Sequence, residues 1–179
     1  WAVSQGAQII TRSAGSGDYS EPIRQAPIDL VLDYYAMQYP YPVISVSAGN
    51  SENESTSSRL SNGLVVGAAQ NTSDTNRDNL KTMRPSSSSL NYHGAAGWEL
   101  PHLVAPGNNI DTAGSSPNTK STFSATSAAQ PQVGGIAAAL LERSASLHQY
   151  PEAVMAVLLA ATEQDVAGVW PLSLKDSLD

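Results

Sequence analysis

Apolar residues in this chain gather into short, unbroken runs set apart by stretches of Ser, Thr, Asn and Gly. Val43–Ala48 (VISVSA) and Leu64–Ala69 (LVVGAA) are apolar and β-branched without strict alternation, the pattern of strands covered on both faces. Ala7–Arg12 (AQIITR) and His102–Val104 read as shorter strands. Helical spacing takes over between residues 22 and 38, where Ile23, Ile28, Val31, Tyr34, Tyr35 and Met37 recur. Pro22 suits the first turn of that helix, and Pro40 and Pro42 end it. A second helix is predicted over Val133–Leu141 and onward to Leu147, and a third over Pro151–Thr162, with Pro151 and Glu152 in its first turn. Trp1–Gly6 reads as the end of a helix stopped by a left-handed Gly6. Ser13–Gly17, Asn50–Ser58, Asn71–Ser89 and Ala105–Gly107 are predicted turns and loops, and the tail from Val166 has no clear period. Strands alternating with helices predict a doubly wound α/β fold with a parallel sheet.

Composition narrows the possible partners. At 179 residues and 18.7 kDa the chain is one domain with room for a core. Charged residues make only 14%, against about 25% in ordinary domains, so the surface is polar but largely neutral. The 9 Lys and Arg against 16 Asp and Glu give a net charge of −7 and a pI near 4.8. Nucleic acid and anionic membranes reward clustered cations, so neither is an expected partner. The longest apolar runs, Val133–Leu141 and Ala153–Ala161, are too short to span a bilayer. Without cysteine there are no disulfides and no thiolate metal sites. The chain opens on Trp1 and shows no signal peptide, which reads as a processed or excised piece.

Two stretches carry chemistry. In Ser124–Gly135 (SATSAAQPQVGG) a loop of small residues delivers Ser127 to the first turn of an Ala-rich helix. Ala125, Ala128 and Ala129 leave room for a substrate backbone, and the helix N-terminus offers N–H groups and partial positive charge to an oxyanion. Pro131 fits an early turn, where a missing N–H costs little. In Val43–Asn50 a buried strand ends in Gly49-Asn50, the end of a strand where α/β sheets place their sites. Taken singly, the first stretch equally describes a capped helix start and the second a Gly-Asn turn.

Together they resemble the subtilisin-like serine peptidases, the subtilases, from residue 1 to about residue 163. Ala125–Gly135 (ATSAAQPQVGG) is similar to the family's nucleophile motif G-T-S-M-A-S-P-H-V-A-G, and Ser47–Asn50 to its A-A-G-N segment. Leu64–Ala68 resembles the strand I-A-V-G-A that follows, and Ala105–Gly107 the A-P-G turn. Trp1–Gly15 echoes W-A-x-x-x-G-x-x-V-I-N-x-S-L-G. The resemblance implies a mostly parallel sheet with helices on both faces, as a single domain over 1–179 cut short at both ends. It implies Ser127 as nucleophile, with the Asn50 amide and the Ser127 N–H forming the oxyanion hole. Ser13, Ala14 and Gly15 would pair with the substrate main chain. With Ser47, Ala48, Gly49 and Thr126 they would line the substrate site, making a protein or peptide the expected substrate.

In the subtilases Asp and His precede the nucleophile, and the match places both before Trp1. The three histidines present are not expected to replace them. His93 falls in a variable surface segment, His102 begins a strand, and His148 ends a helix. Asp111–Gly114 (DTAG) lacks the second half of an aspartic-protease site, and Gly15–Gly17 lacks the rest of a dinucleotide fingerprint. Departures from the family pattern are Ala125 for Gly, adding a methyl at a tight approach, Gln130 for Ser, Gln132 for His and Ala14 for Leu. No metal ligands or cofactor can be assigned from the residues. The family allows structural Ca²⁺, for which only the Asn71–Asn79 loop offers oxygens, and family habit favours secretion. A fragment lacking its N-terminal strands would expose a sheet edge through which it could self-associate. The second expectation for function is a non-catalytic module for peptide binding or assembly.

Overall fold

The structure is a computed structural model that describes residues 1–14, 26–50, 58–71, 80–82, 89–92 and 98–162. Its frame is a sheet in which β1 (Ile9–Arg12), β2 (Val43–Ser47), β3 (Leu64–Asn71) and β7 (Leu103–Pro106) run parallel. The registers pair Ile10 with Ile44, Val46 with Val65 and Val66 with Leu103. The short β4 (Leu80–Thr82) joins antiparallel to the far end of β3. Two small antiparallel pairs stand apart: β5 (Ser89–Tyr92) with β6 (Trp98–Leu100), and β8 (Ile110–Ala113) with β9 (Lys120–Phe123). The helices are α1 (Pro27–Ala36), α2 (Thr126–Arg143) and α3 (Pro151–Ala160).

The strands are apolar on both sides because both sides are covered. Val43, Leu64, Val66, Ala68 and Ala105 pack against α2 and α3, while Ile44, Val46, Ala48 and Val65 form a second core with Leu32 and Ala36 of α1. Helices thus lie on both faces of a mostly parallel sheet, as expected. On α2 the buried residues Ala129, Val133, Ala137 and Leu141 recur every fourth position, making one stripe against the sheet. Its other side, including Ile136, is exposed, so the helix is half-buried.

Two elements differ from their predicted form. Helix α2 begins at Thr126, seven residues before its apolar run but with Ser127 in its first turn as expected, and it ends at Arg143, short of Leu147. A separate 3-10 turn over Ala145–Gln149 follows, in which the His148 ring bonds the Leu141 carbonyl at 3.1 Å. On α1, the residues whose spacing announced a helix, Ile28, Val31, Tyr34, Tyr35 and Met37, face outward. Its inner face uses Leu32 and Ala36 with two buried carboxylates, Asp29 and Asp33. Asp29 accepts the Arg59 N–H at 2.8 Å, and Asp33 accepts those of Ser61 at 2.9 Å and Asn62 at 2.8 Å. These bonds tie α1 to the approach to β3 and satisfy backbone donors that the sheet does not. Near the chain start, Gly6 is left-handed as predicted (φ 79°), closing a single 3-10 turn, Val3–Gln5. Strand β4 lies in the Asn71–Ser89 stretch read as loop, β7 runs into the predicted Ala105–Gly107 turn as far as Pro106, and the pairs β5–β6 and β8–β9 lie, apart from Ser89, where no element was predicted.

His102 locks the start of β7 against β3. Its backbone N–H donates to the Val65 carbonyl, and its ring Nδ1 accepts the Val65 N–H, each at 2.9 Å. Burial pushes its pKa down to about 4, partly countered by the Asp33 charge. The folded state therefore holds this ring neutral while the unfolded chain protonates it near pH 6.5. Stability from this group is intact above pH 6.5 and falls as the pH drops toward 4. Urea melts at pH 7 and pH 4 should show His102→Gln losing less stability on acidification than the parent, by about 3 kcal/mol. Equal losses would show that the ring titrates normally.

Candidate active site

The site forms where the C-terminal end of β2 meets the start of α2. Gly49 follows β2 in a left-handed conformation (φ 104°), which turns the chain so that Asn50 faces the helix. Asn50 Oδ1 accepts the Thr126 N–H and the Thr126 hydroxyl, each at 2.9 Å. A backbone N–H can only donate, so the amide oxygen must face the helix, which leaves the Nδ2 donors of Asn50 directed elsewhere. Thr126 is fully buried, and its hydroxyl is committed to Asn50. It stands behind the site as a tether.

Ser127, half-buried, occupies the first turn of α2. Its N–H belongs to the helix start, where no intrahelical acceptor exists, and the helix field there favours negative charge. Its hydroxyl donates to the Ser13 carbonyl at 3.1 Å. Ser13 and Ala14 lie exposed just past β1. Ser13 Oγ in turn donates to Gln130 Oε1 at 2.8 Å and reaches the Ser127 carbonyl at 3.3 Å. Pro131 lies in the second turn of α2 rather than at its start, and it lacks the N–H that would otherwise bond this carbonyl. The Ser13 hydroxyl stands near it, with its one proton directed mainly to Gln130.

Ser47 and Ala48 are buried, with Ala48 packed in the core beneath α1. Gly15, the Asn71–Asn79 loop beyond Asn71, and His93 lie outside the described residues. The two described histidines, His102 and His148, are bonded to backbone groups away from Ser127. Among the described residues no group of three or more His, Asp or Glu is placed to hold a metal ion, and no helix is long and apolar enough to cross a membrane.

Residues not singled out as functional support this arrangement. Gln130, fully buried, donates from Nε2 to the Ser45 carbonyl (3.0 Å) and Ser45 Oγ (2.7 Å), linking α2 to β2. Gln132 Nε2 bonds the Pro106 carbonyl at 2.6 Å and so ties α2 to the end of β7. The visible signal was a Gln within a run of small helix residues, and serines on one face of VISVS. Gly107 makes a close approach. Its carbonyl accepts the Ala125 N–H at 2.9 Å. Ala125 is extended (φ −178°), which any residue adopts, so its methyl brings no backbone strain.

The candidate site thus joins a strand end bearing an asparagine to a helix start bearing a serine, on a mostly parallel α/β sheet. The sequence profile of Peptidase_S8, the subtilase family, matches residues 1–170, and the chain belongs to that family. Among solved structures, it is similar to the prenylagaramide maturation protease PagA at 27% identity and a TM-score of 0.64, over 92% of this chain and 55% of that one. It shares its fold with a cold-adapted subtilisin-like serine proteinase (24% identity, TM-score 0.66, 94% and 54% covered). The PatG macrocyclase in complex with peptide has the same fold at 23% identity and a TM-score of 0.59, with 78% and 38% covered. The chain spans about half the length of the first two and less of the third. No curated protein sequence matches it.

The packing at Gly107 is directly testable. A Cβ there would stand 2.5 Å from the Ala68 Cβ and 2.9 Å from the Ala125 carbonyl oxygen. Gly107→Ala should cost about 1–3 kcal/mol in urea unfolding, because both neighbours are held. A cost below about 0.5 kcal/mol would mean that the turn does not bear on the helix start.

Proposed function

We propose that this chain carries the nucleophile and oxyanion site of a subtilisin-like serine endopeptidase. Ser127 Oγ attacks a peptide carbonyl, forming the O–C bond as its proton passes to a base. The tetrahedral oxyanion is held by Asn50 Nδ2 and the Ser127 N–H. Collapse breaks the C–N bond, the proton goes to the leaving amine, and water hydrolyses the acyl-enzyme. The observation that supports this reading is the pair of hydrogen bonds from the Thr126 N–H and hydroxyl to Asn50 Oδ1, which ties the amide to the residue next to Ser127 and turns its Nδ2 away from those donors.

The family order Asp, His, Ser assigns the base and its orienting acid to a segment preceding Trp1; His102 and His148 are bonded to Val65 and Leu141. The 179-residue chain alone should therefore show no measurable peptide hydrolysis, because a serine without its base retains only about 10³–10⁴-fold over water. Strong Ser127-dependent turnover by the isolated chain would place a base within residues 1–179. In the protein bearing that segment, Asn50→Ala should lower kcat by about 10²–10³, the loss known for subtilisin's own oxyanion asparagine. A loss under about threefold would remove Asn50 from the site.

One observation favours a second reading, a peptide-binding module without chemistry. The Ser127 hydroxyl donates to a carbonyl, a resting contact that leaves it unactivated. Fluorophosphonate labelling of the longer protein, lost in Ser127→Ala, decides for the peptidase; absence of labelling decides for the module.

A further inference from the structure

We infer that Gln130 is a positioning residue that fixes the substrate-pairing edge relative to the nucleophile, acting through Ser13. This rests on the reading of Ser127 and Ser13 given above. The pairing of β1 with β2 ends at Arg12 and Val46, so the sheet ladder no longer holds the chain when it reaches Ser13. Ser13 is then held by its hydroxyl, 2.8 Å from Gln130 Oε1, besides the contact of its carbonyl with Ser127. Gln130 is itself immobilised, since both Nε2 hydrogens are used on Ser45 and its side chain is fully buried between α2 and β2. A Met of similar length would fill that space with no polar group to satisfy; what the amide adds is direction. The chain Ser45–Gln130–Ser13 thus carries the position of a central strand out to an exposed backbone carbonyl, which stands 3.1 Å from Ser127 Oγ. An extended peptide pairing with Ser13 is placed by the same carbonyl. The ligand class is a peptide main chain, and Gln130 holds in place the edge to which that main chain pairs.

The test is a cycle of Ser13→Ala, Gln130→Met and the pair, with Ser13→Thr as the conservative rescue. In the protein with its proton-transfer segment, each single change should raise KM for a peptide substrate about tenfold and leave kcat within about twofold. The pair should be no worse than either single change, and Ser13→Thr should restore KM. Increments that multiply in the pair, or a fall in kcat at constant KM, would overturn the inference. In the 179-residue chain, hydrogen exchange of the Gln130 side-chain amide reads the network without any activity. It should be slow in the parent and in Ser13→Thr and faster in Ser13→Ala; no difference would overturn the contact. Ser127→Ala separates the two readings. Hydrolysis that survives it refutes Ser127 as nucleophile, whereas the amide exchange still decides whether Gln130 holds Ser13.

Discussion

The closeness of α2 to the parallel sheet governs the rest of this molecule. Ala129, Val133, Ala137 and Leu141 form a stripe of modest side chains, so the helix axis lies near the strands and leaves little slack. At that distance, polar groups on the inner face are cut off from water and must find partners within the protein. Thr126 meets Asn50, and Gln130 meets Ser45 and Ser13. The same packing that buries the core therefore decides where the groups of the site stand. Gly107 permits it at one end, where a side chain would collide with Ala68.

Much of the frame was legible in the sequence, and the reason is burial. β2 and β3 announce themselves because both faces are covered, so nearly every position is apolar. The start of α2 was less visible, since its first turns are Ala, Gln and Pro and have no apolar period. The β8–β9 pair had no predicted element, because β9 is exposed throughout and carries no apolar face. On α1 the spacing named the right element and the wrong side. The helix packs inward through two carboxylates and small or single apolar groups, and turns its tyrosines outward.

The site divides in the same way. Ser127 and Asn50 stand in ordered blocks that resemble a family, and the structure brings their segments together through Thr126. The reciprocal contacts of Ser13 with Ser127 and Gln130 had no signature, because they depend on how β1 sits beside α2. No local pattern encodes a bond between residues 114 positions apart. Membership of the subtilases gives the fold; the Gln130–Ser45 link is set by the packing of α2 on β2.

Pro131 makes that separation matter to the helix. Without its N–H the Ser127 carbonyl lacks its regular donor within α2, and the Ser13 hydroxyl, 3.3 Å away, belongs to a residue 114 positions earlier. The contact exists only while β1 lies beside α2, so holding it carries the entropy of closing a long loop. Where β1 is displaced, that carbonyl is left to solvent and the first turns of α2 lose their link to β1.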